Sequence, residues 1–505
     1  MEIKARRNVW VVVFFFLFWC AAFPGASATE APQGKGLELT LEACAELVLQ
    51  NNKELASHFL DLQIQREAVQ SEKGAFEPEF SALYQKSADK MRYPQEEKTA
   101  VLIAPERDEE SSDYHLGVEL QTPLGTRFKV TQRTREYRDR ERDPDDQYQS
   151  RFSIEVTQPL LKGSGRASRA RLLAARKGAE EAGYLYRQRQ METLLQALST
   201  CWDYFGVREK WRIRQKSVGI ARQILKDNET RVRLGKVSKS EILEAEAGLS
   251  RRKALEERAA QEVEAARNRL RTFLFLSEHL AFEILFEKEE EMTGAASVAE
   301  SLEEAFARRP AYLAARKKIL QEDILLAFAV NQRWPQLDLT GTYGLNGLGD
   351  TAEDAWEYAW KESDRSWRVG LSLSVPLFGG VKSESELRTA RLKKRKAILE
   401  MKRLEVEIYG GIKTAVGEVN SASKELMHHL RARELNALLL KSELARFEAG
   451  RSNSRTLLTR EEDLITARET ELDAKVYAQK AWLRLLFEKG MLLSHYGVDE
   501  VGAGL

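Results

Sequence analysis

Apolar and polar residues alternate strictly in two short stretches of this chain, whereas two much longer stretches repeat apolar residues every three or four positions. Phe152, Ile154 and Val156 alternate with Ser153, Glu155 and Thr157. In the second stretch Val369, Leu371, Leu373 and Val375 alternate with Gly370, Ser372 and Ser374. A period of two predicts strands with one apolar and one polar face, as in a half-buried soluble sheet or a membrane barrel. The period of the long stretches is that of a helix. Leu194, Leu198, Cys201, Trp202 and Phe205 form one stripe, continued by Leu225, Val232 and Leu234, and the Arg, Lys and Glu opposite form a solvated face. All eleven prolines fall at or before Pro376, and none lies between Pro159 and Pro310. Because an internal proline costs a helix about 3 kcal/mol, these two gaps are where long helices survive.

The expected helices run from about Ser164 to Leu234 and from Ser240 to Leu276, then from Lys382 to Ala449 and from Ser454 to Leu493. Gly235 and Gly450 interrupt them. The long arms span about 100 Å and the short ones about 55–60 Å. Thr40–Lys73 and Val298–Gln332 are predicted as helices of about 50 Å that stack on the short arms, the second breaking or restarting at Pro310.

The whole arrangement occurs twice. Gly74–Tyr84, Phe152–Gly163 and Arg233–Glu246 return in the same order as Val330–Tyr343, Val369–Gly380 and Glu448–Glu461. The expected organisation is a leader over 1–28, a first repeat over 29–296 and a second over 297–505. The first repeat has one addition, a hairpin over 114–137 turning at Pro123-Leu124-Gly125, which either adds two barrel strands or stands off the barrel. Residues 88–113, 138–149 and the Trp-containing 346–366 are expected to be polar loops. Tyr84, Tyr148, Trp334, Tyr343 and Trp367 fall near strand ends, where aromatic girdles or ordinary core aromatics sit. Strands turn into helices at Pro159 and Gly163, and again at Pro376 and Gly379.

Composition narrows the function. A net charge of +1 with 31% charged residues and no basic tract argues against nucleic acid. Lys4, Arg6 and Arg7, an apolar run over about 9–23 and Ala26-Ser27-Ala28 have the layout of a cleaved secretory signal. Bulky Trp19 disfavours lipidation of Cys20, and Cys44 and Cys201 read as small core residues. After the leader no run of 18 apolar residues exists, which excludes a spanning helix.

Gly163-Ser-Gly165-Arg-Ala-Ser168 opens a helix after a strand but lacks the rest of a dinucleotide fingerprint. His428 and His429 point apart on a helix, no metal motif occurs, and no nucleophile elbow is present. The chain is expected to be no enzyme, with no catalytic residue, cofactor or metal.

Gln158-Pro-Leu-Leu-Lys-Gly163, Val375-Pro-Leu-Phe-Gly379, the paired Gly235 and Gly450 turns, Asn51–Leu55 and Arg309–Leu313 together resemble the TolC-like outer-membrane efflux proteins. The resemblance covers nearly the whole mature chain. It implies a mixed α and β membrane protein: a homotrimer whose protomers each give four strands to a shared twelve-stranded β-barrel and their long helices to a hollow α-helical coiled-coil barrel. It further implies an adaptor and an inner-membrane pump as partners, with the adaptor docking at Arg233, Leu234, Gly235, Lys236, Val237, Ser238, Arg446, Phe447, Gly450, Arg451 and Ser452. The same turn reads more simply as a glycine cap followed by a Ser238–Glu241 capping box. Where the family often carries aspartates this chain has Thr456 and Thr459, so an acidic constriction falls to Glu241 and Glu244, which also suit a helix start. The expected function is the outer-membrane channel of a tripartite efflux or type I secretion system in a Gram-negative outer membrane, with helices in the periplasm. The alternative is a soluble periplasmic coiled-coil scaffold. Alternating strands in one chain support closure between copies, because open sheet edges are untenable in lipid.

Overall fold

The computed structural model describes residues 37–92, 106–139, 143–235, 237–277, 282–286, 297–361, 364–375 and 380–497. The expected leader, Cys20, Lys236, Pro376 and Gly379 lie outside them. No helix among the described residues is long and apolar enough to cross a membrane.

The strand-to-helix grammar of the sequence builds a long curtain of helices below one antiparallel sheet. The first repeat contains β1 (Leu37–Leu39), α1 (Leu41–Asn51), α2 (Lys53–Gly74), β2 (Glu79–Arg92), β3 (Glu106–Gln121), β4 (Arg127–Asp139), β5 (Asp143–Pro159), α3 (Ala170–Arg233), α4 (Ser240–Phe273) and β6 (Phe282–Ile284). The second contains α5 (Val298–Arg308), α6 (Pro310–Asn331), β7 (Gln336–Gly349), α7 (Ala352–Lys361), β8 (Asp364–Ser374), α8 (Val381–Glu448), α9 (Ser454–Lys489) and α10 (Leu492–His495).

With 64 and 68 residues, α3 and α8 are each about 100 Å long. Both α2 and α4 pack on α3, whereas α6 and α9 lie between α3 and α8. The result is four columns, two of them made of stacked shorter helices as the lengths require. A core joins α1, the middle of α3, the end of α4 and α9 around Leu194, Leu198, Cys201 and Trp202. There β1 and β6 pair in parallel, tying the two ends of the first repeat together.

Pro310 occupies the first turn of α6, as expected, and α5 ends at Arg308, with Arg309 alone between the two helices. The expected single helix over Thr40–Lys73 is instead two. Asn52 is extended and its Oδ1 accepts from the N–H groups of Glu54 and Leu55, so it ends α1 and caps α2. The first long helix starts at Ala170 rather than near Ser164. Gly163 and Gly165, both at positive φ, carry a turn there, and Asn331 closes it: Gly163 N–H donates to its Oδ1 and its Nδ2 donates to Leu161 O.

The sheet runs β2-β3-β4-β5-β7-β8, each strand antiparallel to the next. The expected hairpin is therefore part of the sheet, with β3 and β4 in register over thirteen residue pairs. Among the described residues the antiparallel sheet holds six strands, where the resemblance implies four. The charged stretches expected as loops mostly extend the strands, since cross-strand ion pairs such as Lys90–Asp108 match their charges. The 346–366 loop holds the helix α7.

Candidate functional sites: the sheet faces and the helical tip

Register sorts the strands into two faces. Phe80, Ala82 and Tyr84 of β2 share a face with Tyr114, Leu116, Val118 and Leu120 of β3, then with Phe128 and Val130 of β4. The same face continues through Phe152, Ile154 and Val156 of β5, Leu337, Leu339, Tyr343 and Leu345 of β7, and Trp367, Val369, Leu371 and Leu373 of β8. Many of these are exposed in a single chain, among them Phe80, Tyr84, Leu116, Trp367, Val369 and Leu371. The opposite face carries Ser81, Gln85, Asp113, Glu119, Lys129, Arg133, Glu155, Thr340, Arg368 and Ser372. The apolar band slants across the hydrogen-bonding rows from the upper rows of β2 to the lower rows of β8. Tilted barrel strands place a level apolar belt at that slant. Of the expected girdle residues, Tyr84 packs on Tyr114 at 4.9 Å between ring centroids, and Tyr343 lies opposite Trp367. Trp334 sits below the band, just before β7, and Tyr148 lies above it.

The far end of the curtain holds the two turns that the sequence pairs. Gly235 and Gly450 have φ of +71° and +72°, and each N–H closes the last helical turn on Val232 O or Phe447 O. Arg233, Leu234, Gly235, Ser238, Arg446, Gly450 and Arg451 are exposed there, with Val237 and Ser452 half-buried. Phe447 is not on that surface. It is buried against Ile224, Ala245, Leu457 and Leu458, and Arg231 stacks 4.2 Å above its ring.

The expected Ser238–Glu241 capping box does not form. Ser238 Oγ accepts from Ser240 N–H, while the Glu241 carboxylate accepts from Ser454 N–H at 3.1 Å, at the start of α9. Asn228 donates through Nδ2 to both Glu241 O and Ser454 Oγ. Glu241 thus caps the other repeat's helix, and Glu244 lies 3.8 Å from Arg455. Both carboxylates offered for an acidic constriction have partners within the tip.

Two to three turns further in, the Arg252 guanidinium lies 3.1 Å from Glu461 and donates to Ser217 Oγ and Leu458 O. The Glu461 side chain is only 2% exposed. Its burial outweighs the pull of Arg252 and raises the carboxyl above its ordinary value. The sequence reading missed Asn228, Arg252 and Glu461. Each interrupts an apolar helical stripe: Asn228 follows Ala221 and Ile224, Arg252 falls between Ala245 and Ala259, and Glu461 lies between Leu457 and Leu464. Polar residues on an apolar stripe are the signal that was available.

Among the described residues no group of histidine, cysteine and acidic side chains could hold a metal. The Gly163–Ser168 segment is spent on the strand-to-helix turn.

Residues 301–487 match the family described as outer membrane efflux protein. Over that stretch, which is less than half of the chain, the sequence is similar to outer membrane efflux proteins. Solved structures with the same fold include the Campylobacter jejuni CmeC outer membrane channel, at 14% identity and a TM-score of 0.62, covering 93% of this chain and 91% of that one. The Vibrio cholerae outer membrane protein VceC gives 13%, 0.61, 89% and 96%. The open-state Neisseria gonorrhoeae MtrE outer membrane channel gives 18%, 0.61, 90% and 89%. No curated protein matches the chain.

Proposed function

We propose that this TolC-like chain is the outer-membrane exit duct of a tripartite efflux or type I secretion system, passive itself and driven by a pump elsewhere. One observation carries the reading. A six-stranded sheet with a slanted apolar band on one face and charged groups on the other continues directly into helices of about 100 Å. A soluble scaffold has no use for that band.

Both sheet edges, β2 and β8, pair on one side only within the chain. Unpaired backbone N–H and C=O groups in hydrocarbon cost several kcal/mol each, so the ribbon closes through other copies. The helices ask for the same closure. In α8, at one edge of the curtain, Leu392, Leu399 and Val406 are exposed at seven-residue spacing, which is the seam of a coiled coil lacking its partner. At the other edge α2 exposes Leu60 and Ile64. Three copies joined edge to edge make an eighteen-stranded barrel over a twelve-column helical tube. The exposed tip residues Arg233, Leu234, Arg446 and Arg451 are the surface offered to an adaptor.

In detergent the purified protein is expected to be trimeric by light scattering and to conduct ions in planar bilayers. A water-soluble monomer without conductance would refute the reading. Cysteines at Leu234 and Arg451 are expected to crosslink to the adaptor, and reaction only at other faces would move the docking site.

A further inference from the structure

The helix α7 lies on the apolar face of the sheet. A Cβ at Gly347 would fall 2.0 Å from Ala355 O, and one at Gly349 2.6 Å from Ala355 N. Both glycines share the face of Leu345 and Tyr343, because side chains alternate along β7. The two missing side chains let the helix backbone rest directly on the strand, with Ala355 and Ala359 buried beneath it.

Two side chains fix the height of α7 on the sheet. The Trp360 ring packs on Phe152 at 5.1 Å, one step down the strand towards the apolar band, and Trp356 packs on Trp360 at 5.9 Å. Asp354 meets the sheet at Gly349, two steps further up. Glu353, Glu357 and Lys361 are exposed. The two tryptophans are still 48% and 49% exposed, although they adjoin the band.

We propose that α7 is an interfacial membrane helix that seats the channel in the outer leaflet, with Trp356 and Trp360 inserted at the boundary between hydrocarbon and headgroups and its acidic side facing water. The inference rests on the reading of the sheet face as lipid-facing. Three features of the helix fit a lipid surface as the occupant: the tryptophan flank continues the apolar band, indole rings favour that boundary, and Asp354 meets the sheet at the level furthest from the band.

The test uses the full chain with Cys20, Cys44 and Cys201 replaced by alanine, reconstituted into phosphatidylethanolamine and phosphatidylglycerol vesicles. Single cysteines replace Trp356, Trp360, Asp354 and Glu357, with Leu371 and Ser372 as sheet controls, and each carries a nitroxide. Labels at Trp356 and Trp360 are expected to collide several-fold more often with oxygen, which concentrates in lipid, than with a nickel chelate in water. At Asp354 and Glu357 the ratio is reversed. If Leu371 reports lipid while Trp356 and Trp360 report water, α7 stands clear of the membrane and the proposal fails with the channel reading intact. If Leu371 itself reports water, the lipid-facing sheet is wrong and the proposal falls with it.

Discussion

The two repeats solve the same two problems differently. At the sheet, among the described residues, the first contributes four strands and no covering helix, while the second contributes two strands and lays α7 over β7 and the neighbouring β5. At the tip, the second repeat caps its own restart, Asn453 Oδ1 accepting from Thr456 N–H, whereas Lys239, which precedes α4, provides no side-chain cap. The first repeat spends its tip carboxylate, Glu241, on its neighbour instead. The order of long helices and strands is alike in the two halves, and the differences lie in the first half's wider share of the sheet and the second half's own cap at the tip.

If the repeats are locked together at the tip, the largest loss follows from breaking the crossing between α4 and α9. Arg252→Met leaves Glu461 buried without its partner and is expected to cost about 3–5 kcal/mol, read as a lowered midpoint of chemical unfolding. An unchanged midpoint would mean the repeats are held elsewhere.

Next comes the covered face of the second repeat. Gly347→Val drives a side chain into α7 and is expected to cost roughly 1–3 kcal/mol. Gly341→Val on the same strand and face meets nothing within 4 Å and should be nearly silent. Equal effects from the two would show that α7 is not seated on Gly347.

The difference in capping gives a smaller contrast. Asn453→Ala should cost about 1 kcal/mol, as loss of an N-cap does. Lys239→Ala should stay within about 0.5 kcal/mol. Comparable losses would erase the asymmetry between the tips.

The smallest effect is a pH dependence. A carboxyl whose value is raised by folding binds its proton more tightly in the native state. Glu461 therefore favours folding fully below its ordinary value of 4.5, and that contribution is lost as pH rises through the raised value. Thermal midpoints taken across this window should fall less steeply in Glu461→Gln than in the unaltered chain, and parallel curves would remove Glu461 as the source.

How much of this was legible depended on whether one physical pressure acted alone. Alternation at 152–156 and 369–375 was readable because each strand separates an apolar surface from water. Over 106–113 and 131–139 both faces are polar, so period two leaves no trace, and the strands extend beyond what alternation could show. The helix lengths followed from missing prolines, but the break at Asn52 did not, because an asparagine within a polar stretch looks the same whether it caps or continues. The helix α7 was hidden because its decisive partners, Gly347 and Gly349, signal a turn when read alone. At the tip, glycine positions could be read from sequence while the exchange of Glu241 between repeats could not, since capping rules consider only a residue's own helix.

The two added strands, β3 and β4, have a geometric consequence for the duct. Strands about 4.8 Å apart and tilted by roughly 40° each take up about 6 Å of circumference, so six occupy about 38 Å of arc. Four helical columns at roughly 8–10 Å spacing subtend about 32–40 Å. Four strands would subtend only about 25 Å by the same spacing, and the pipe would pinch where it enters the lipid. With the added hairpin, sheet and curtain have matching widths, so in the proposed ring the conduit keeps an even calibre from periplasm to exterior, and any throttle on cargo has to lie at the tip.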